Sequence, residues 1–85
     1  MSKPFRLNIL SPEKSIYDGE SSSLIAPGEA GDLGVLPDHA PLVTTLKPGR
    51  IVFKNQGGQE TTIESRGKGF LEVLKNDVTV ILTVI

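Results

Sequence analysis

A chain of 85 residues is long enough for one compact domain, expected to span residues 1–85, whose small core would leave about 3–5 kcal/mol of net stability. Nine Lys plus Arg stand against ten Asp plus Glu, a net charge of −1, which argues against a nucleic-acid binder with its basic excess. The absence of cysteine excludes disulfide staples, thiolate metal sites and thiol nucleophiles.

Taken in chain order, turn formers punctuate the sequence at short intervals. Phe5, Leu7 and Ile9 alternate with Arg6 and Asn8, giving one apolar face at the period of a strand. Ser11-Pro12 and Asp18-Gly19 break the chain next, followed by Ser21-Ser22-Ser23, read as a polar strand edge. Pro27-Gly28 and Pro37-Asp38 mark further turns. Segments 50–55 and 59–65 flank Gln56-Gly57-Gly58, the pattern of a hairpin with glycines available for positive φ. Gly67-Lys68-Gly69 reads as a bend between strands, and Asn76-Asp77 as the last turn. No stretch sustains the apolar spacing of a helix. Many short strands at close spacing predict an all-β sandwich or barrel.

The final segment differs from the others. Val78, Val80, Leu82 and Val84 lie on one side of a strand, with Thr79, Ile81, Thr83 and Ile85 on the other. Apolar groups on both faces point to a central strand buried on both sides. The sharper alternative is that one face meets a second segment or a partner.

Residues that could carry chemistry are few. His39 is the one histidine and sits between Pro37 and Pro41, the setting of a turn residue rather than of a base or metal ligand with positioned partners. Gly67-Lys68-Gly69 lacks the spacing of a phosphate-binding loop and is followed by Phe70-Leu71 rather than Ser or Thr. Glu20, Glu29, Asp32 and Asp38 match no calcium-loop spacing. The aromatics Phe5, Tyr17, Phe53 and Phe70 are too sparse for a base-stacking platform. No catalytic residue, cofactor site or metal site is expected. No apolar run approaches the roughly 20 residues that cross a bilayer, and the N-terminus is too polar for a signal peptide, so a soluble, cytosolic protein is expected.

One stretch carries more information: Ala26-Pro27-Gly28-Glu29-Ala30-Gly31-Asp32-Leu33-Gly34-Val35-Leu36-Pro37-Asp38-His39-Ala40-Pro41-Leu42, then Lys47-Pro48-Gly49. It resembles the signature of the epsilon subunit of bacterial F-type ATP synthases, the delta subunit of mitochondria. Leu7–Glu13, Tyr17-Asp18-Gly19, Gly69–Val73 and Asn76–Val80 extend the likeness over nearly the whole chain. The resemblance implies a flattened β-sandwich of about ten short strands in two sheets. It implies a non-catalytic central-stalk subunit, on the cytoplasmic side of the inner membrane and peripheral to it. Such a subunit would bind the gamma subunit, rest on the polar loops of the c-ring and couple ion-driven rotation to the catalytic alpha/beta head. It places Asp32, with Glu29 and His39, on the c-ring side as contact residues without chemistry.

The same resemblance gives Gly31 and Gly34 the role of tight turns where a side chain would clash. Family members usually carry two helices after the sandwich. This sequence ends where they would begin, so helical inhibition of ATP hydrolysis and the associated nucleotide site are expected to be missing. A free-standing small-ligand module, or a small hydrolase built on His39 and a carboxylate, are the competing readings.

Overall fold

The computed structural model describes residues 3–84. They form nine strands: β1 (Phe5–Leu10), β2 (Ser15–Ser21), β3 (Ser23–Gly28), β4 (Gly31–Val35), β5 (Leu42–Leu46), β6 (Gly49–Lys54), β7 (Glu60–Ser65), β8 (Gly69–Leu74) and β9 (Asp77–Leu82). About ten strands were expected from the sequence, and nine are present among the described residues. No described helix is long and apolar enough to cross a membrane.

Hydrogen bonding runs along one curled path, β2-β1-β9-β8-β5-β3-β6-β7, with β4 added on β3. The two sheets of the expected sandwich are thus not fully separate. A single bridge, Gly28 opposite Leu46, joins the β2-β1-β9-β8-β5 half to the β4-β3-β6-β7 half. The curl lets each half turn an apolar face toward the other. All ladders are antiparallel except β1 on β9, where Arg6 to Leu10 run beside Asp77 to Ile81.

Alternation decides which side chains enter the core. Phe5, Leu7 and Ile9 on β1 and Val78, Val80 and Leu82 on β9 are buried, as are Leu71 and Val73 on β8. Leu24, Ala26, Ile51 and Phe53 face them from the other half, with Val35 and Leu46 closing the cluster. Tyr17 of β2 meets Phe53 of β6 with ring centroids 4.5 Å apart and planes tilted by 48°, a geometry aromatic pairs favour.

The hairpin read from the sequence is β6–β7. Asn55 closes its turn, with its Oδ1 accepting from the Gln59 amide at 3.0 Å, and Gly58 supplies a φ of 84°. The bend at residues 66–68 is likewise present, and Gly69 opens β8. A Cβ on Gly69 would lie 2.7 Å from the Ile81 carbonyl oxygen, a backbone atom that cannot step aside without disturbing the β8–β9 ladder. At Gly31 the constraint is of another kind: its φ is 138°, with open space around the missing Cβ. The clash expected at Gly31 and Gly34 is therefore absent. Nothing in the structure explains Gly34, which meets open space and has no positive φ.

Two further expectations change. Ser21 is not on a polar edge but fully buried, because the chain crosses from one half to the other at Ser22. Its hydroxyl lies 2.6 Å from the Lys54 carbonyl oxygen and 2.8 Å from that of Ser23, and it accepts from the Ser23 amide at 3.3 Å. Ser21→Ala is expected to cost about 1–2 kcal/mol, since buried carbonyl and amide groups lose a partner. Ser22→Ala, whose hydroxyl makes one 3.4 Å bond, should stay within about 0.5 kcal/mol; urea unfolding of the two variants separates them.

β9 is central in its ladder but not buried on both sides. Its outward Ile81 is 45% exposed, and Ile85 lies outside the described residues. Strands covered on both faces need layers on both sides, and the described chain supplies a layer on only one.

Candidate interaction surfaces

Glu29, Asp32 and His39 are strung along one edge of the molecule. Glu29 and Ala30 make the two-residue turn between the paired Gly28 and Gly31. Asp32 follows within β4, opposite Pro27, and both carboxylates are exposed. His39 lies in the 36–41 loop beyond the far end of the strand, so Glu29 and His39 bracket β4 rather than share a turn. The strand between them covers about 13 Å at the usual rise per residue.

The edge is sparsely tied. Thr45 Oγ1 donates to Glu29 Oε2 at 3.4 Å, a long contact. Among the described residues neither Glu29 nor Asp32 has an ion-pair partner; the ion pairs found there are Arg6–Asp18 and Arg50–Glu64. A shallow open groove of about 260 Å3 runs beside the turn, lined by Gly28, Ala30, Leu33 and Thr44 among others. His39 is half-buried, and its Nδ1 donates to the Ala40 carbonyl at 2.7 Å. That bond selects the Nδ1–H tautomer and leaves Nε2 as the ring's remaining polar atom. Among the described residues no carboxylate is hydrogen-bonded to the ring, so they do not assemble the base-and-orienter geometry of acid–base catalysis around it. No group of three His, Cys, Asp or Glu side chains converges among the described residues.

Side-chain hydrogen bonds tie the loop carrying His39 to the β8–β9 turn. Asp38 adopts a φ of 64°, a left-handed conformation uncommon outside glycine, asparagine and aspartate. Its amide donates to Asn76 Oδ1 at 2.7 Å, and Asn76 Nδ2 donates to Asp38 Oδ1 at 2.8 Å. Asn76 belongs to the tight β8–β9 turn, where Lys75 has a φ of 56°. The Asn76 carbonyl in turn accepts from the Arg6 amide at 2.8 Å.

A second surface includes the outer face of β9, the strand for which the sequence offered a face meeting a second segment or a partner as the sharper alternative; the row across its neighbours was not singled out. On the outer side of the five-stranded half, the registers place Thr45, Phe70, Ile81 and Leu10 in one row across β5, β8, β9 and β1. Val43 stands two residues from Thr45 on the same side of β5. Phe70 is 49% exposed, Ile81 45%, Val43 71% and Leu74, further along β8, 53%. Neighbouring exposed apolar groups of this kind mark association sites on soluble proteins. The available signal was local: Phe70 and Leu74 are apolar at outward positions of β8, with Glu72 between them, and Ile81 is apolar at an outward position of β9.

Comparison with known proteins adds an independent finding. Residues 4–85 match the family model described as ATP synthase, Delta/Epsilon chain, beta-sandwich domain. The ATP synthase epsilon chain of Dichelobacter nodosus is 42% identical over 82 residues, covering 96% of this chain and 56% of that protein. The ATP synthase epsilon chain of Chromohalobacter salexigens is 47% identical over 77 residues, covering 91% and 54%. Among solved structures, a chain of the Euglena gracilis mitochondrial ATP synthase (OSCP/F1/c-ring) superposes with a TM-score of 0.86 at 21% identity, over 93% of this chain and 50% of that one. One from the central stalk and c-ring of the Tetrahymena thermophila mitochondrial ATP synthase gives 0.77 at 13% identity, over 96% and 65%. At such identities the structural likenesses are of fold. The chain spans about half the length of the curated relatives it matches.

Proposed function

The chain belongs to the delta/epsilon β-sandwich family of ATP synthases, and from that premise we propose that it is the sandwich of a central-stalk subunit that couples rotation of the c-ring to the catalytic head. Residues 1–85 act as one domain and carry no catalysis of their own. The observation that supports this best is the outer row in which exposed Phe70 and Ile81 lie beside part-buried Leu10, with exposed Val43 next to it. A surface of that kind suits continuous burial against a larger subunit, here gamma. Such burial would also add to the modest stability of so small a domain.

Glu29, Asp32 and His39 serve as contacts to the polar loops of the c-ring along the β4 edge. The solvated carboxylates Glu29 and Asp32 are placed to influence encounter and register more than affinity, as rim charges do. The subunit sits at the cytoplasmic face of the membrane through the complex rather than by inserting into it. Coupling of this type needs a stiff body with two differently tuned faces, one apolar for a lasting grip on gamma and one polar for a fixed contact in register with the ring.

Mixing the purified chain with a gamma–catalytic-head complex that lacks this subunit should give stoichiometric co-elution on size exclusion at micromolar concentration. Separate elution at that concentration would overturn the proposal.

A further inference from the structure

We infer that Asn76 is a positioning residue that latches the 36–41 loop, and with it His39, onto the β8–β9 turn. The inference deepens the proposed ring contact and rests on that reading for its consequence, though not for the latch itself.

Three observations converge. Asp38 holds a φ of 64°, a left-handed conformation that glycine adopts freely and aspartate occasionally, with the help of local hydrogen bonds. Asn76 supplies two hydrogen bonds to it, accepting from the Asp38 amide at 2.7 Å and donating to its carboxylate at 2.8 Å. The Asn76 backbone is anchored separately, through its own carbonyl to the Arg6 amide at 2.8 Å. The latch therefore connects a loop to a ladder that includes the buried residues of β1, β8 and β9.

Chemistry makes the pair directional. A backbone amide can only donate and an ionised carboxylate can only accept, so the Asn76 side chain has one orientation that satisfies both. No other residue type of that size offers one donor and one acceptor from the same planar group. Among the described residues no other side-chain hydrogen bond ties the 36–41 segment, with its two prolines, part-buried Pro37 and His39 and exposed Leu36, to a distant strand or turn. With the latch, His39 and its neighbours form a fixed feature of the surface. A rigid contact transmits displacement to a partner with less lost motion than a loose one, because less ordering remains to be done on contact.

Size-conserving substitutions test this directly. Asn76→Asp keeps the shape but removes the donor and sets two carboxylates against each other. The double variant Asp38→Asn with Asn76→Asp reverses the pair and restores it: the residue-38 amide and the new asparagine Nδ2 both donate to the aspartate at 76. Native-state hydrogen exchange of the residue-38 amide, measured on the full chain, should quicken by about tenfold or more in N76D. It should return to within about threefold of the original in the double variant, with the Leu71 and Val80 amides unchanged throughout. An unaltered residue-38 amide in N76D, or no recovery in the reversed pair, would overturn the latch.

A binding measurement on two complexes, gamma–head with and without the c-ring, separates the latch from the ring contact. N76D should lose affinity only for the ring-containing complex, by about tenfold, and the reversed pair should regain it. If the unaltered chain gains nothing from the ring, the proposed ring contact fails while the exchange result still decides the latch. If the ring adds affinity that N76D keeps in full despite faster exchange, Asn76 does not position the loop for that contact.

Discussion

Leu71→Ala should leave the isolated domain without a cooperative unfolding transition, or with a melting temperature lowered by about 8–40 °C. Leu71 is fully buried and lies in β8 between Thr44 of β5 and Val80 of β9. Those neighbours are held in two ladders and cannot collapse into the vacated space. Truncating a buried leucine costs about 2–5 kcal/mol when the site cannot relax. A domain of this size holds only about 3–5 kcal/mol of net stability, so the loss is comparable to the whole. Circular dichroism followed against temperature and urea gives the measurement. The adjacent Glu72→Ala, at an exposed outward position, should shift stability by no more than about 0.5 kcal/mol. Equal behaviour of the two variants would mean that this core is not where the structure places it.

Phe70→Asp should separate folding from association. Phe70 neighbours the buried Leu71 but points the other way, between Thr45 and Ile81 on the outer face. Its side chain is 49% exposed, so its removal opens no cavity, and the variant should fold. A carboxylate at the centre of an apolar contact would be desolvated without a partner, the costly case for a buried charge. Binding to the gamma–head complex should weaken by at least 30-fold, corresponding to about 2 kcal/mol. Ile25 provides the control, since it is 47% exposed on a strand of the opposite half. Ile25→Asp should leave that binding unchanged. If Phe70→Asp folds and binds normally, or if Ile25→Asp is the variant that fails, the docking face lies elsewhere.

The two expected results fit the proposed mechanical role of so small a sheet. Inward residues of β8 and β9 hold the halves together, and outward residues of the same strands remain for a partner. The strand period assigns neighbouring residues to the two tasks with no intervening layer. A force applied at the outer face is therefore met directly by the hydrogen-bonded ladders β5-β8-β9-β1, one of which, β1 on β9, is parallel.

Much of this was legible before any coordinates. Phe5, Leu7 and Ile9 announced an inward face by alternation alone, and the Gln56-Gly57-Gly58 turn located β6 and β7 to within a residue or two. The stretch from Ala26 to Leu42 pointed to the family that the comparison then bore out over residues 4–85. Such features are local, because side-chain period, turn geometry and motif spacing are all written within a few consecutive residues.

What local pattern could not specify was which strands meet. The outer row of Phe70, Ile81 and Leu10 exists only because β9 pairs with β8 on one side and with the distant β1 on the other. Burial of Ser21 required the crossing from one half to the other, and exposure of Ile81 required that no further described layer cover β9. Asp38 and Asn76 lie 38 positions apart, and neither looks unusual by itself. Alternation states which residues share a face of one strand, whereas strand order is settled by long-range hydrogen bonding and by how the two halves close over their common core. The chain's sequence therefore determined its strands and its family. The tertiary structure alone decided how residues from separate strands combine into the proposed docking face and the proposed latched edge.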